Sequence, residues 1–256
     1  MFTPRQSSPR NDLDEKDLAQ VRARLLGALR ERPPTIGVVG VSGTGKSSTI
    51  NAMFKTQLTV GHTRATTKEF QATEAKVRAR KGVADGAPGK LVVVDAPGLG
   101  EDIRRDPGYL TEYRERLPGC DVVLWVLAAR NRAVSLDQRY LAELAEFHPR
   151  MVFAINQVDL VHPMDWRPGS PIPSAAMEAN IKDVVVDRSG RLSDVIGRTV
   201  PAVPYSAARG YNLEGLFAAL IEAAAGDRRF VFDLIRNFSY RDFLPSPYRD
   251  EDGEPR

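Results

Sequence analysis

The chain has 256 residues, 42% hydrophobic and 27% charged, with 36 Lys and Arg against 33 Asp and Glu for a formal charge of +3. That is enough apolar material for one sizeable core with short appendages, and no apolar run reaches the roughly 18 residues of a membrane span. One cysteine, Cys120, excludes an internal disulfide, and no Cys/His spacing of a metal finger or redox pair is present.

The opening stretch MFTPRQSSPRNDLDEKD lacks the apolar centre of a secretory leader, so a cytoplasmic location is expected, with peripheral membrane association as the variant. Residues 1–12, rich in Pro, Ser and Arg, read as a disordered N-terminus. Residues 13–32 read as an amphipathic helix, because Leu18, Val21, Leu25, Leu26 and Leu29 recur at helical spacing before RERPP stops it. The main unit, residues 33–226, begins with the strand TIGVVG, a glycine loop and a helix from Lys46 to Phe54. FQATEAKVRARKG alternates as a strand does, and VADGAPG is its turn.

KLVVVDAPG, CDVVLWVLAA and RMVFAINQVD are near-continuous apolar runs, with a helix over 135–147 between the last two. Such runs suit strands covered on both faces by helices. HPMDWRPGSPIPSAA is a proline-rich loop or insertion, TVPAVPYSA the last strand, and residues 213–225 the helix after it. A C-terminal helix is expected over 227–240 and a disordered tail over 241–256. Strands alternating with helices predict a three-layer α/β unit around a mostly parallel, doubly wound, six-stranded sheet, plus the N- and C-terminal helices.

Gly40-Val-Ser-Gly-Thr-Gly-Lys46-Ser47 fits a phosphate-binding loop between strand and helix. Its glycines let successive backbone N–H groups, through Ser42, Gly43, Thr44 and Gly45, approach phosphates without a Cβ in the way. The helix start adds its positive dipole end. Lys46 would reach the β- and γ-phosphates, Ser47 would ligate Mg²⁺, and Ser48 would bond the α-phosphate. Asp95, at the end of a strand, supplies a second Mg²⁺ anchor through water, and Gly98 offers an N–H to the γ-phosphate. Loss of that phosphate would release the following LGEDIRRD, the logic of a switch.

Asn156-Gln157-Val158-Asp159 ends another buried strand. A buried carboxylate at Asp159 can accept from guanine N1–H and N2–H₂, both of which adenine lacks, so a kinase or ATPase reading is disfavoured. Asn156 would bond another edge of the base, and Ser206-Ala207 would aim a backbone N–H at the guanine oxygen. All of these groups fall at carboxyl ends of strands, where open α/β sheets bind ligands.

GVSGTGKSSTINAMF, DAPG, NQVD and SA, in this order, resemble the motif set of the translation-factor class of P-loop GTPases. The likeness is strongest to Era-like and TrmE-like bacterial GTPases, including small 50S ribosome-binding GTPase members, and covers residues 35–225. It implies a G domain that hydrolyses GTP to GDP and phosphate with Mg²⁺ and acts as a nucleotide-controlled switch. It maps the switch threonine that ligates Mg²⁺ to Thr67, with Thr66 as the alternative. Two departures stand out: Gln157 occupies the place of the family's lysine, and Gly43 that of the asparagine of potassium-dependent members, so potassium activation is not expected.

Signalling GTPases place a water-orienting glutamine after the switch glycine; this chain has Leu99. Era-like and TrmE-like proteins resemble it there and still hydrolyse GTP. The expectation is slow turnover, stimulated by a partner or by a second copy meeting at the switch face. The alternative is a GTP-binding module with negligible hydrolysis that dimerises or docks on a membrane or ribosome. The mild basic charge and the aromatic-basic RRFVFDLIRNF permit RNA or lipid contact without requiring either.

Overall fold

The computed structural model describes residues 19–20, 23–24, 27, 31–54, 69–78, 88–102, 104–131, 134–224 and 226–233. Residues 19–20, 23–24, 27 and 31 are helical, within the helix expected over 13–32. The strands are β1 (Thr35–Val39), β2 (Gln71–Arg78), β3 (Pro88–Asp95), β4 (Val122–Ala128), β5 (Met151–Asn156) and β6 (Ala202–Pro204). The helices are α1 (Lys46–Phe54), α2 (Asp106–Arg116), α3 (Ser135–Glu143), α4 (Ala175–Ile196), α5 (Leu213–Ala223) and α6 (Gly226–Asp233).

One six-stranded sheet runs in the order β2-β3-β1-β4-β5-β6. Among the described strands β2 pairs antiparallel, on β3, and the pairings of β1 with β3, β1 with β4, β4 with β5 and β5 with β6 are parallel. The expected architecture is therefore present. The apolar strands separate into two faces by their period of two. On β4, Val123, Trp125 and Leu127 join Tyr113 of α2, Leu141 of α3 and Leu192 of α4 in one core. Val122, Leu124 and Val126 point the other way, to Ile50 of α1, Leu216 of α5 and Phe232 of α6. Two buried faces explain why these strands carry no polar alternation.

Register brings the functional ends together. Val38 lies beside Asp95, Val39 beside Trp125, and Ala128 beside Asn156. At the opposite end Asp121, which is buried, accepts from Thr35 N–H at 2.9 Å, Arg228 Nε at 3.0 Å and Arg32 Nη2 at 3.2 Å. One carboxylate thus joins the segment entering β1 to the last helix.

Several boundaries differ from expectation. The helix expected over 135–147 stops at Glu143 and passes into a 3₁₀ segment, Ala145–Arg150, that contains Pro149. The helix expected over 213–225 ends at Ala223. The C-terminal helix begins at Gly226 rather than at 227 and is described to Asp233; the rest of the expected span and the tail lie outside the described residues. Two helices, α2 and α4, were not expected at all. Helix α4 takes the end of the presumed proline-rich loop, with the Ser174 hydroxyl capping Met177 N–H at 3.3 Å. Among the described residues no helix is long and apolar enough to cross a membrane.

Candidate functional site

The loop after β1 is shaped by glycines where nothing else fits. Gly40 has φ +140°, and a Cβ there would lie 2.5 Å from the Val126 carbonyl of the neighbouring strand. Thr44 Oγ donates to Val41 O at 3.0 Å and tightens the turn into α1. Thr49, one turn into that helix, donates to Gly45 O at 2.8 Å. Its hydroxyl also meets the buried Tyr205 hydroxyl at 2.7 Å, which ties α1 to the strand carrying the last motif.

Lys46 folds back under the loop and donates from Nζ to Gly40 O at 3.2 Å and Val41 O at 3.3 Å. Only 7% of the residue is exposed. Burial pulls its pKa down from 10.5 to about 8, against the opposing charges of Asp95, Asp137 and Glu101. A buried ammonium held by two neutral carbonyls is poised to exchange them for an anion, because charge-assisted partners are stronger.

Ser47 donates to Asp95 Oδ2 at 2.6 Å, so the first turn of α1 and the end of β3 present oxygen ligands at one point. These hard oxygens suit Mg²⁺, which takes one or two protein oxygens and completes its shell with phosphates and water. Among the described residues no group of three His, Cys, Asp or Glu could hold a metal by itself. Thr67 and Thr66, the expected switch threonines, lie outside the described residues.

Gly98 sits directly on the loop: a Cβ there would be 2.8 Å from Ser42 Cα and 3.1 Å from Lys46 Nζ. Leu99 is fully buried and pairs with Val41 as a one-residue parallel bridge. Its N–H donates to Gly40 O at 3.3 Å, and its carbonyl accepts from Ser42 N–H at 2.8 Å. The residue after Gly98 is therefore committed to backbone pairing and core.

On the base side, Asn156 is a brace. Its Nδ2 donates to Thr44 O at 3.0 Å and its Oδ1 accepts from Ala207 N–H at 3.1 Å. Both groups expected to face the base, the Asn156 side chain and the Ala207 N–H, are thus engaged with each other. Gln157, in left-handed backbone at φ 64°, donates to Gly43 O at 3.1 Å. It supplies the bracing contact with the loop without a lysine's charge. Asp159 is half-buried rather than buried, and it accepts from Ser206 Oγ at 2.6 Å.

Sequence reasoning missed a second layer. Asp137 of α3 is buried and accepts from Trp125 Nε1 at 2.9 Å; burial pushes its carboxyl up to about 6. Asp106 accepts from Gly100 N–H at 3.1 Å and from the Tyr140 hydroxyl. Tyr113 donates to Pro97 O at 2.5 Å, so α2 and α3 grip the turn from Pro97 to Gly100 from behind. A carboxylate at the start of a helix was the only legible signal for Asp106. Glu101 and Asp102 follow that turn, where Asp102 pairs with exposed Arg104 at 3.0 Å. His148 is buried against Leu141 O at 2.9 Å, and His162 is exposed. His62 lies outside the described residues.

Residues 35–157 match the model of a family described as 50S ribosome-binding GTPase. YkfA of Escherichia coli (strain K12) is 34% identical over 172 residues, covering 64% of this chain and 56% of that protein. YfjP of the same strain is 31% identical over 158 residues, covering 61% of this chain and 51% of that protein. The chain spans about half the length of the curated relatives it matches. Among solved structures, the chloroplast translocon components atToc33 and psToc159, whose dimerisation is described as important for GTPase activity, align at TM-score 0.56 and 15% identity over 82% of this chain and 92% of that one. Era of Aquifex aeolicus bound to GDP·AlF₄⁻ aligns at 0.53 and 18% identity over 81% of this chain and 62% of that one. Era with MgGDPNP and nucleotides 1506–1542 of 16S ribosomal RNA aligns at 0.51 and 17% identity over 80% of this chain and 58% of that one. At these identities the likeness is one of fold.

Proposed function

We propose that this chain, a GTP-binding G-domain protein of the P-loop GTPases, hydrolyses GTP to GDP and phosphate with Mg²⁺ and uses the change as a switch. The observation that carries this is the seating of Gly98 on Ser42 and Lys46. A γ-phosphate reaching Lys46 Nζ must meet the turn that precedes Leu99, so its presence or loss is transmitted directly to the following segment.

Mg²⁺ would be held by the Ser47 hydroxyl, by Asp95 through water and by Thr67, and when bound it neutralises charge on the β- and γ-phosphates. Lys46 would exchange the Gly40 and Val41 carbonyls for phosphate oxygens. The loop N–H groups from Gly43 to Ser48 would cradle the phosphates, and the Gly98 N–H would bond the γ-phosphate; the Ser42 N–H, expected to join the cradle, is instead given to the Leu99 carbonyl at 2.8 Å. Asp159 would read guanine N1–H and N2–H₂, with Ser206 holding its carboxylate in place. The remaining requirement is a water aligned behind the γ-phosphate. Leu99 offers no polar group for this, so backbone around Thr67 and a group from a partner or second copy would complete the site.

A single-turnover assay with and without Mg²⁺, over a range of protein concentration, tests the reading. Slow turnover that needs Mg²⁺ and accelerates with concentration or a partner supports it; fast, concentration-independent turnover removes the need for an outside group. The burial of Leu99 favours a second reading, a GTP-holding module with negligible hydrolysis, which the same assay separates by showing bound GTP persisting at every concentration. Substituting Asp159→Asn tests the base site, since it removes one of two acceptors and should abolish the preference for GTP over ATP. The dimerising translocon GTPases and RNA-bound Era among the fold's neighbours make a second copy at the switch face, and ribosome or RNA, the partners to examine beside membrane lipid.

A further inference from the structure

The turn that fixes Asp159 is tied to β5 by the Ala207 N–H on Asn156 Oδ1 at 3.1 Å. It reads Ser206-Ala-Ala-Arg-Gly-Tyr211, and it closes by Ser206 N–H to Tyr211 O at 3.1 Å, with Arg209 N–H on Ser206 Oγ at 3.1 Å. Ala207 packs against the core that holds Leu216, while Ala208, which is exposed, and Gly210, which has no side chain, offer little packing surface. Further cover comes from the other recognition segment. Seven residues after Asp159, Trp166 packs edge-on against Tyr211, with ring centroids 5.6 Å apart at 74°. The Arg209 guanidinium lies 5.3 Å from the centre of the same indole.

Trp166 is itself firmly placed. It bridges Pro173 in antiparallel fashion, Arg167 N–H donates to Ile172 O at 2.9 Å, and Gly169 turns the chain at φ +66°. Ser174 N–H, at the cap of α4, donates to Asp165 O at 2.8 Å. The proline-rich segment is thus a rigid arm, anchored on α4, that returns from Asp159 to the turn holding Asp159.

We propose that Trp166 is a positioning residue of the base site. It clamps the Ser206–Tyr211 turn so that the Ser206 hydroxyl holds the Asp159 carboxylate where guanine is read. The inference rests on the assignment of Asp159 to guanine.

The test measures dissociation constants for GDP, IDP and ADP with the full chain and its Trp166→Ala and Trp166→Phe variants. Hypoxanthine lacks the 2-amino group and so makes one fewer bond to Asp159. Aromatic and cation–π contacts of this kind are each worth about two- to tenfold in an equilibrium constant. Trp166→Ala should therefore weaken GDP about tenfold, weaken IDP less, and leave ADP unchanged, so the GDP/IDP preference falls severalfold. Trp166→Phe should stay within about twofold of wild type. It keeps a ring against Tyr211 and Arg209, and the indole N–H it removes is buried with no hydrogen-bond partner in the structure.

Unchanged GDP affinity in Trp166→Ala, equal losses for GDP and IDP, or a Phe variant as impaired as the Ala variant would each overturn the clamp. If Trp166→Ala does not fold, Arg209→Met takes its place, with a severalfold loss of GDP affinity and preference expected and wild-type behaviour overturning the proposal. A wild-type chain without preference for GDP over ADP overturns the base-site reading, and the clamp with it. Preference intact in both wild type and Trp166→Ala overturns the clamp alone.

Discussion

The side-chain amide of Asn156 donates to the Thr44 carbonyl at 3.0 Å, while its oxygen accepts from the Ala207 N–H at 3.1 Å. One buried side chain at the end of β5 therefore joins the phosphate loop to the base-side turn. Replacing it with aspartate keeps the acceptor but turns the donor into an oxygen facing a carbonyl. Asn156→Asp is expected to cost about 2–3 kcal/mol of stability and to weaken GDP more than tenfold. Asn156→Ala should lose both contacts and weaken GDP comparably. Denaturant titration and equilibrium dialysis check both, and a nucleotide affinity unaffected by either variant would remove the brace.

The loop glycines should respond unequally to alanine. Gly43 has φ +79° with nothing within 4 Å of an added Cβ, so Gly43→Ala carries backbone strain alone, about 1 kcal/mol. Gly45 has φ +88°, and its Cβ would fall 2.4 Å from Asn156 Nδ2, so Gly45→Ala adds the loss of the brace. Gly98 lies outside the left-handed region, and its cost is contact with Ser42 and Lys46. Gly98→Ala should therefore weaken GTP more than GDP, whereas Gly45→Ala should weaken both alike. Paired affinity measurements decide the order.

Much of this site was legible because it depends on local patterns. Gly40 and Asp95 stand at strand ends, Asp159 just past one and Lys46 at a helix start, in fixed order, and phosphate approach demands glycine where the backbone comes close. The hidden parts depend on packing between elements distant in sequence. Helix α2 opens with Asp-Pro-Gly and buries only Asp106 and Tyr113, so it shows no apolar stripe. Helix α4 carries Val184-Val185-Val186, which reads as strand, and Val186 is left 72% exposed. Its ends were readable, with Ser174 at the cap and Gly197 in left-handed backbone at φ 75°. That Asn156 bonds Thr44 and Ala207 follows from the register of β5 beside β4 and β6, which no motif encodes.

Asp121 should be the most sensitive position far from the nucleotide. Its carboxylate serves the Thr35 N–H and Arg228 in a buried setting, while Arg32 is 61% exposed at its side chain. Asp121→Ala leaves Arg228 and a backbone donor without their acceptor, about 3–5 kcal/mol. Arg228→Ala leaves the carboxylate its other partners and should cost about 1–3 kcal/mol. Arg32→Ala should cost under about 1 kcal/mol. The ranking by chemical denaturation is the prediction; Arg32→Ala matching Asp121→Ala would refute it.

Lys46 sets the expected pH dependence of binding. Burial holds its pKa near 8 in the nucleotide-free chain, below the ordinary 10.5. Phosphate beside the ammonium favours the charged form, so the complex has the higher value. Between the two values binding takes up a proton. Affinity for GDP should be level from pH 7 to about 8, then fall by up to tenfold per pH unit above it. Asp137, whose carboxyl titrates near 6, is ionised across this range and is among the charges that raise the Lys46 value. Asp137→Asn keeps an acceptor for Trp125 Nε1 but removes that charge, so the break should move below pH 8. Calorimetric titration of GDP from pH 7 to 9.5, in two buffers of different ionisation enthalpy, reads both the break and the proton. A profile level to pH 9.5, or a break that Asp137→Asn leaves in place, would detach Lys46 from the phosphates or Asp137 from Lys46.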